Sequence, residues 1–271
     1  MTIDHAQYND LLESIHLVYG YDFTEYSEAS VRRRIDLFMS NRKIASIPSL
    51  KDMILRDERL LEEFIQEISV TVTEMFRDPA FYRNLRELVM KRLATYPFIK
   101  VWIAGCATGE EVYSVAILLK EANLLQRSII YATDINQKSL VTAKDGVYPA
   151  QNMKLYTQNY QQSGGTRSFS EYYFSRYNAV MIDKSLKQNI VFSSHNLVVD
   201  KAFNEFQLVI CRNVMIYFNQ QLQNKVINLF YESLCMFGFL CLGNKESLLF
   251  SDKRKNFEEV DRKEKIFMKN L

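Results

Sequence analysis

Apolar side chains recur every three or four positions across residues 8–70. Leu11, Leu12, Ile15 and Val18 make one stripe, and Val31, Ile35, Phe38 and Met39 another. That spacing turns one face of an α-helix toward a core. Gly20 closes the first helix, and Ser49 is placed to cap a short third. Leu60, Leu61, Phe64, Ile65 and Ile68 give a fourth, with Glu62, Glu63 and Glu67 on its charged face. The pattern predicts a small helical bundle.

From Lys100 onward the grammar changes. Short apolar runs alternate with helical stretches: VWIAG, a helix from Glu110, IIYATD, a helix from Gln137, then VFSS, LVICRN and FGFLCLG. Runs that are apolar on both faces, separated by helices, predict a mainly parallel sheet with right-handed crossovers. The closing KIFMKN is expected as an edge strand. Two segments break the alternation. Residues 71–82, TVTEMFRDPAFY, join the bundle to the sheet, and residues 151–189, with Gly164-Gly165 and YNAVMI, read as an inserted antiparallel subdomain.

With 48% hydrophobic and 24% charged residues over 271 positions, the chain has enough apolar surface for a folded core, which excludes disorder. Thirty-four basic residues against 32 acidic ones leave a charge of +2, so no overall field would hold a nucleic-acid backbone. Cys106, Cys211, Cys235 and Cys241 have no metal-ligand spacing, and His5, His16 and His195 are scattered. Neither a zinc site nor a serine-type triad is expected. The polar, acidic N-terminus and short apolar runs predict a cytoplasmic protein without membrane insertion.

In VWIAGCATGEEVYS, Gly105 and Gly109 sit between a strand and a helix. Glycines allow close approach of a ligand to the backbone, and a helix start offers free N–H groups. A plain strand-to-helix turn explains such a pair equally well. Asp134 ends the next strand, where a carboxylate can accept hydrogen bonds from vicinal ribose hydroxyls. It would also serve as an N-cap for the helix near Gln137. Together the turn and the acid suggest an adenosine site. The loop is not the strict G-x-G-x-x-G of nicotinamide enzymes, so S-adenosylmethionine fits better. Arg212 and Asn213 interrupt the apolar CRNVMIYF at a ligand-binding sheet edge, and a charge there must be paired or face a polar cleft. Arg77 lies in the connector before Asp78-Pro79, which reads as a helix start. Arg32, Arg33 and Arg34, followed by Arg42 and Lys43, form a basic helix that reads by default as a solvated face and also suits docking on an acidic helical partner or an anionic surface.

Four blocks, VTVTEMFRDPAFY, VWIAGCATGEEVYSVA, YATDINQKSLVTAKDGVY and FQLVICRNVMIYFN, occur in the order of one family. The chain resembles CheR-type chemotaxis receptor methyltransferases over nearly its whole length. The resemblance implies an N-terminal all-α domain (1–70), a linker (71–87) and a Rossmann-like class I methyltransferase domain (88–271). A small antiparallel β-subdomain would be inserted at about 151–189. It implies methyl transfer from S-adenosylmethionine, leaving S-adenosylhomocysteine, to glutamate carboxylates on the cytoplasmic helical bundle of chemoreceptors. By the same resemblance, cofactor contacts fall on Thr71, Thr73, Arg77, Gly105, Glu111, Asp134, Asn196, Leu197, Arg212 and Asn213. Arg77 and Tyr217 approach the reacting centre, and Arg32, Arg33 and Arg34 face the receptor. Thr71 stands where the family has Asn, and Lys245-Glu246 where it has Ser-Glu. The insert lacks the family's glycine and arginine pattern, so no site for a receptor's peptide tether is assigned to it. The alternatives are a cofactor-binding signalling module without transfer activity and a methyltransferase for a small-molecule carboxylate.

Overall fold

The computed structural model describes residues 5–69 and 71–270. The expected division at residue 70 falls on a position outside them. Helices α1 (His5–Tyr19), α2 (Glu28–Arg42), α3 (Ile47–Arg56) and α4 (Glu58–Ile68) pack around Leu11, Ile15, Ile35, Phe38 and Phe64. The Phe38 and Phe64 rings meet edge to face, 5.4 Å between centres. Ser46, rather than Ser49, caps α3, its Oγ accepting the Ser49 N–H at 3.3 Å. Pro48 lacks an N–H and fits the first turn, so the helix starts earlier than the apolar pattern indicated.

The connector leads into α5 (Pro79–Asn84), which continues through a π-helical turn, Leu85–Val89, into α6 (Met90–Leu93). Then follow β1 (Ile99–Ala104), α7 (Glu110–Glu121), β2 (Ser128–Asp134), α8 (Gln137–Asp145), β3 (Val147–Pro149) and α9 (Met153–Gln162). The chain continues with β4 (Tyr173–Arg176), β5 (Ala179–Ile182), α10 (Lys184–Lys187), β6 (Ile190–Ser194) and β7 (Phe206–Cys211). It closes with α11 (Gln220–Ser233), β8 (Leu234–Leu242), β9 (Phe257–Asp261) and β10 (Ile266–Lys269).

Among the described residues, seven strands form one sheet in the order β6-β2-β1-β7-β8-β10-β9. β6, β2, β1, β7 and β8 pair in parallel, and β10 runs antiparallel to β8 and β9. KIFMKN is therefore not an edge: β9, whose polar FEEVD gave little strand signal, covers it. Val101 and Ile103 face one apolar layer and Trp102 and Ala104 the other, which is why β1 reads as a continuous apolar run. The order reverses at β1, so the crevice beyond the ends of β1, β2 and β7 is where such a sheet binds ligands.

The insert differs from the expectation at its start. Its antiparallel sheet, in the order β3-β5-β4, begins at Val147, and much of the segment from 151 is the helix α9. Met153, Tyr156 and Tyr160 are buried at helical spacing, a period masked by the polar residues between them.

Candidate functional site

Three turns at the ends of β1, β2 and β7 build the site. After β1 the backbone takes positive φ at Gly105 (77°), Ala107 (45°) and Gly109 (94°). Glycine is required at Gly105, because a Cβ there would stand 2.4 Å from Val214 Cγ2. Asp134, at the tip of β2, accepts the Ala107 N–H on Oδ2 and the Asn136 N–H on Oδ1, both at 2.8 Å. Asn136 is the N-cap of α8, through the Ser139 N–H at 3.1 Å, so Asp134 is not the cap. Burial pushes the Asp134 carboxyl above its usual range, and the backbone N–H groups of Asn136 and Ala107 only partly offset this.

The turn after β7 is held by Glu246. Its carboxylate accepts the N–H groups of Gly243, Asn213 (3.1 Å), Val214 (2.9 Å) and Met215 (2.8 Å), fixing Asn213 at a φ of 61°. Glu246 is buried while Lys245 is exposed. Sequence reasoning missed this role: the bonded loop lies some thirty residues upstream, and only the acid's place after an apolar strand signalled it.

A cleft of about 640 Å³ opens at this edge, and Thr71, Gly105, Asp134, Asn196, Leu197, Asn213 and Tyr217 lie on its walls. A second chamber of about 450 Å³ carries Thr73, Arg77, Glu111 and Arg212 and shares Gly105, Asn213 and Val214 with the first. Every residue expected at the cofactor or the reacting centre thus lines one chamber or both. Tyr26, Ser69 and His195 also line the first and were not foreseen. Tyr26 and Ser69 reach the cleft only because the helical domain closes over the sheet, with Asn136 Nδ2 donating to Ser69 Oγ at 2.9 Å.

Arg212 is paired rather than free. Its Nη2 donates to Asp78 Oδ2 at 2.6 Å and its Nη1 to Glu111 Oε1 at 3.1 Å, with the guanidinium 4.1 Å from the Phe81 ring centre. Burial would push this cation toward neutrality, but Glu111, Tyr82 and Asp78 outweigh it and keep the group charged. Asp78 therefore does not cap α5 with its side chain. It takes a left-handed φ of 59° with no cap hydrogen bond and turns to Arg212 instead. Arg77 is half-buried, with Nη1 donating to Val72 O at 3.3 Å, so most of its donors remain available.

The arginine run does not act as one surface. Successive helical residues point about 100° apart, and each side chain meets something different. Arg32 pairs with Glu28 at 2.6 Å and lies over Tyr8. Arg33 is exposed. Arg34 turns inward, donating to Glu67 O at 2.8 Å and lying 5.7 Å from the Tyr217 ring centre. Arg33 is exposed and Arg32 partly so, whereas Arg34 faces inward, so the three do not present one continuous docking surface.

The residues suit an adenosyl cofactor. The Asp134 carboxylate retains acceptor capacity beyond its bonds from Ala107 and Asn136, Ile135, Leu197 and Val214 offer apolar walls, and Glu111 and Arg77 offer opposite charges in the adjoining chamber. Among the described residues, no cluster of His, Cys, Asp and Glu could hold a metal ion, and no helix is long and apolar enough to cross a membrane.

Two family models match the chain: the all-alpha domain of CheR methyltransferase over residues 6–69 and its SAM-binding domain over 71–266. A Pseudomonas putida protein named "Putative methyltransferase Cher3" is 48% identical over 260 residues, covering 96% of this chain and 95% of that one. A chemotaxis protein methyltransferase of Listeria innocua is 29% identical over 232 residues, covering 85% and 86%. Among solved structures, the N-methyltransferase NodS of Bradyrhizobium japonicum, in complex with S-adenosyl-L-homocysteine, aligns with a TM-score of 0.34 and 13% identity. That alignment covers 62% of this chain and 63% of the other.

Proposed function

This chain belongs to the CheR methyltransferase family, and we propose that it methylates glutamate side chains on the cytoplasmic helices of a chemoreceptor, forming glutamyl methyl esters. The family binds S-adenosylmethionine, whose sulfonium supplies an activated methyl group. Asp134 would accept hydrogen bonds from the ribose hydroxyls, Asn196 and Leu197 would border the base, and Glu111 would face the ammonium of the amino-acid part. Thr71, Thr73, Gly105, Arg212 and Asn213 would complete the walls around it.

A glutamate carboxylate is already ionised at neutral pH, so the attack needs no general base. Bound there, S-adenosylmethionine would supply its methyl group to the carboxylate oxygen, the electron pair of the broken carbon–sulfur bond leaving with sulfur. No proton moves. The protein's tasks are to align oxygen, carbon and sulfur and to exclude water. Arg77 would orient the incoming carboxylate with its free donors, and Tyr217 would shape the mouth of the cleft.

The observation that carries this reading is the meeting of Asp134, Arg77 and Tyr217 around chambers that share Gly105, Asn213 and Val214. Arg77→Ala tests it. Methyl transfer to a receptor fragment should fall at least tenfold while S-adenosylhomocysteine binding, measured by calorimetry, changes much less. Equal losses in both would assign Arg77 to the cofactor alone.

A further inference from the structure

We propose that Tyr148 and Tyr156, both from the inserted subdomain, are positioning residues for the turn between β1 and α7, so that the subdomain sets the affinity of the cofactor cleft. The proposal rests on reading the cleft as the S-adenosylmethionine site.

The turn needs external support. Ala107 is held at a φ of 45° without being glycine, a conformation that L-residues avoid unless surrounding contacts enforce it. On one side the Ala107 N–H is bound by Asp134. On the other, the contacts come from the subdomain. Tyr148, on β3, donates its hydroxyl to Thr108 O at 2.7 Å. Thr108 Oγ1 donates to Glu110 Oε2 at 2.6 Å, and Glu110 Oε1 accepts the Tyr156 hydroxyl, from α9, at 3.3 Å. A Cβ at Gly109 would lie 2.9 Å from Ala143 Cα and 3.1 Å from the Tyr148 oxygen, so the turn is seated tightly against the same tyrosine.

Tyr148, Tyr156 and Glu110 are all buried. Burial pushes both phenols upward, so they remain donors across the working range of pH. The same turn presents Gly105, Cys106 and Ala107 to the chambers. Loss of the Tyr148 hydroxyl leaves Thr108 O without this partner and releases the strained Ala107 to relax away from Asp134. The site would keep its residues and lose its shape.

Tyr172 provides the control. It lies in the same subdomain, but its hydroxyl goes to Glu121 Oε1 at 2.7 Å rather than to the turn. Wild type, Tyr148→Phe, Tyr156→Phe, Tyr172→Phe and Asp134→Ala should each be titrated with S-adenosylhomocysteine by calorimetry, well below their melting temperatures. Tyr148→Phe is expected to bind about five- to tenfold more weakly, the effect of one lost buried hydrogen bond, and Tyr172→Phe within about twofold of wild type. In transfer assays the KM for S-adenosylmethionine should rise in Tyr148→Phe while kcat is largely retained. If Tyr148→Phe does not fold, Tyr156→Phe tests the same link through Glu110. Wild-type affinity in both Tyr148→Phe and Tyr156→Phe, with loss in Asp134→Ala, overturns the positioning role alone. Wild-type affinity in Asp134→Ala overturns the cleft reading beneath it.

Discussion

The Arg34 guanidinium lies 5.7 Å from the centre of the Tyr217 ring and donates a hydrogen bond to Glu67 O. One arginine thereby ties α2, the end of α4 and the mouth of the cleft together. The backbone reinforces the contact, with the Ser27 N–H donating to Tyr217 O at 2.7 Å and Tyr26 packing on Phe218. The helical domain forms a wall of the cleft.

Arg33 and Arg34, adjacent in sequence, should therefore separate in function. Arg34→Ala removes a cation–π contact and a hydrogen bond behind Tyr217, and should lower turnover about tenfold, as expected for 1–2 kcal/mol. Arg33→Glu should weaken receptor binding and leave S-adenosylhomocysteine affinity unchanged. Steady-state rates and calorimetry on the two variants check this.

Glu246→Gln is predicted to destabilise the fold by about 1–3 kcal/mol, because the amide would turn an N–H₂ group toward backbone N–H donors that now meet a carboxylate. For a chain of this size that is a fall in Tm of roughly 2–4 °C per kcal/mol. Thermal unfolding reads the loss, and cofactor affinity should fall with it, since Asn213 and Val214 line both chambers.

Arg212→Ala takes the buried cation away from Glu111, which is largely buried, and from Asp78, which is partly exposed. Removing one partner of such a cluster typically costs about 3–5 kcal/mol. The variant should unfold at markedly lower denaturant than Arg212→Lys, which keeps a positive charge. Equal midpoints would show that the charge is not what the site requires.

Cofactor affinity should depend on pH through Asp134. Burial raises its carboxyl above the ordinary aspartate value of 3.8, so protonation begins at a higher pH than for a free side chain. The protonated form loses acceptor capacity toward the ribose. S-adenosylhomocysteine binding should therefore be full at neutral pH and fall as pH drops through the raised value. Asp134→Asn should bind weakly and lose this dependence, as calorimetry over a pH series would reveal.

Much of this was legible in the sequence. β1, β2 and β7 are buried on both faces, so their apolar runs stood out, and the polar residues ending them, Asp134 and Arg212, marked the sheet edge. What escaped was relational. Asp78-Pro79 reads as a helix start and α5 does begin at Pro79, yet Arg212, 134 residues away, claims the Asp78 carboxylate. Glu246 serves a loop far upstream in the chain. The arginine run looked like one face because charge was counted along the chain rather than around the helix. β9 and α9 were hidden by polar residues that their tertiary partners tolerate.

A glutamyl methyl ester is identified most directly by its lability to base. Labelled S-adenosylmethionine should be incubated with the protein and a chemoreceptor cytoplasmic fragment, and the labelled fragment treated with mild base. The account predicts labelled methyl on glutamate side chains, released as methanol by base and absent when those glutamates are replaced by alanine. Label that resists base, or no transfer from a protein that binds S-adenosylhomocysteine, would contradict it.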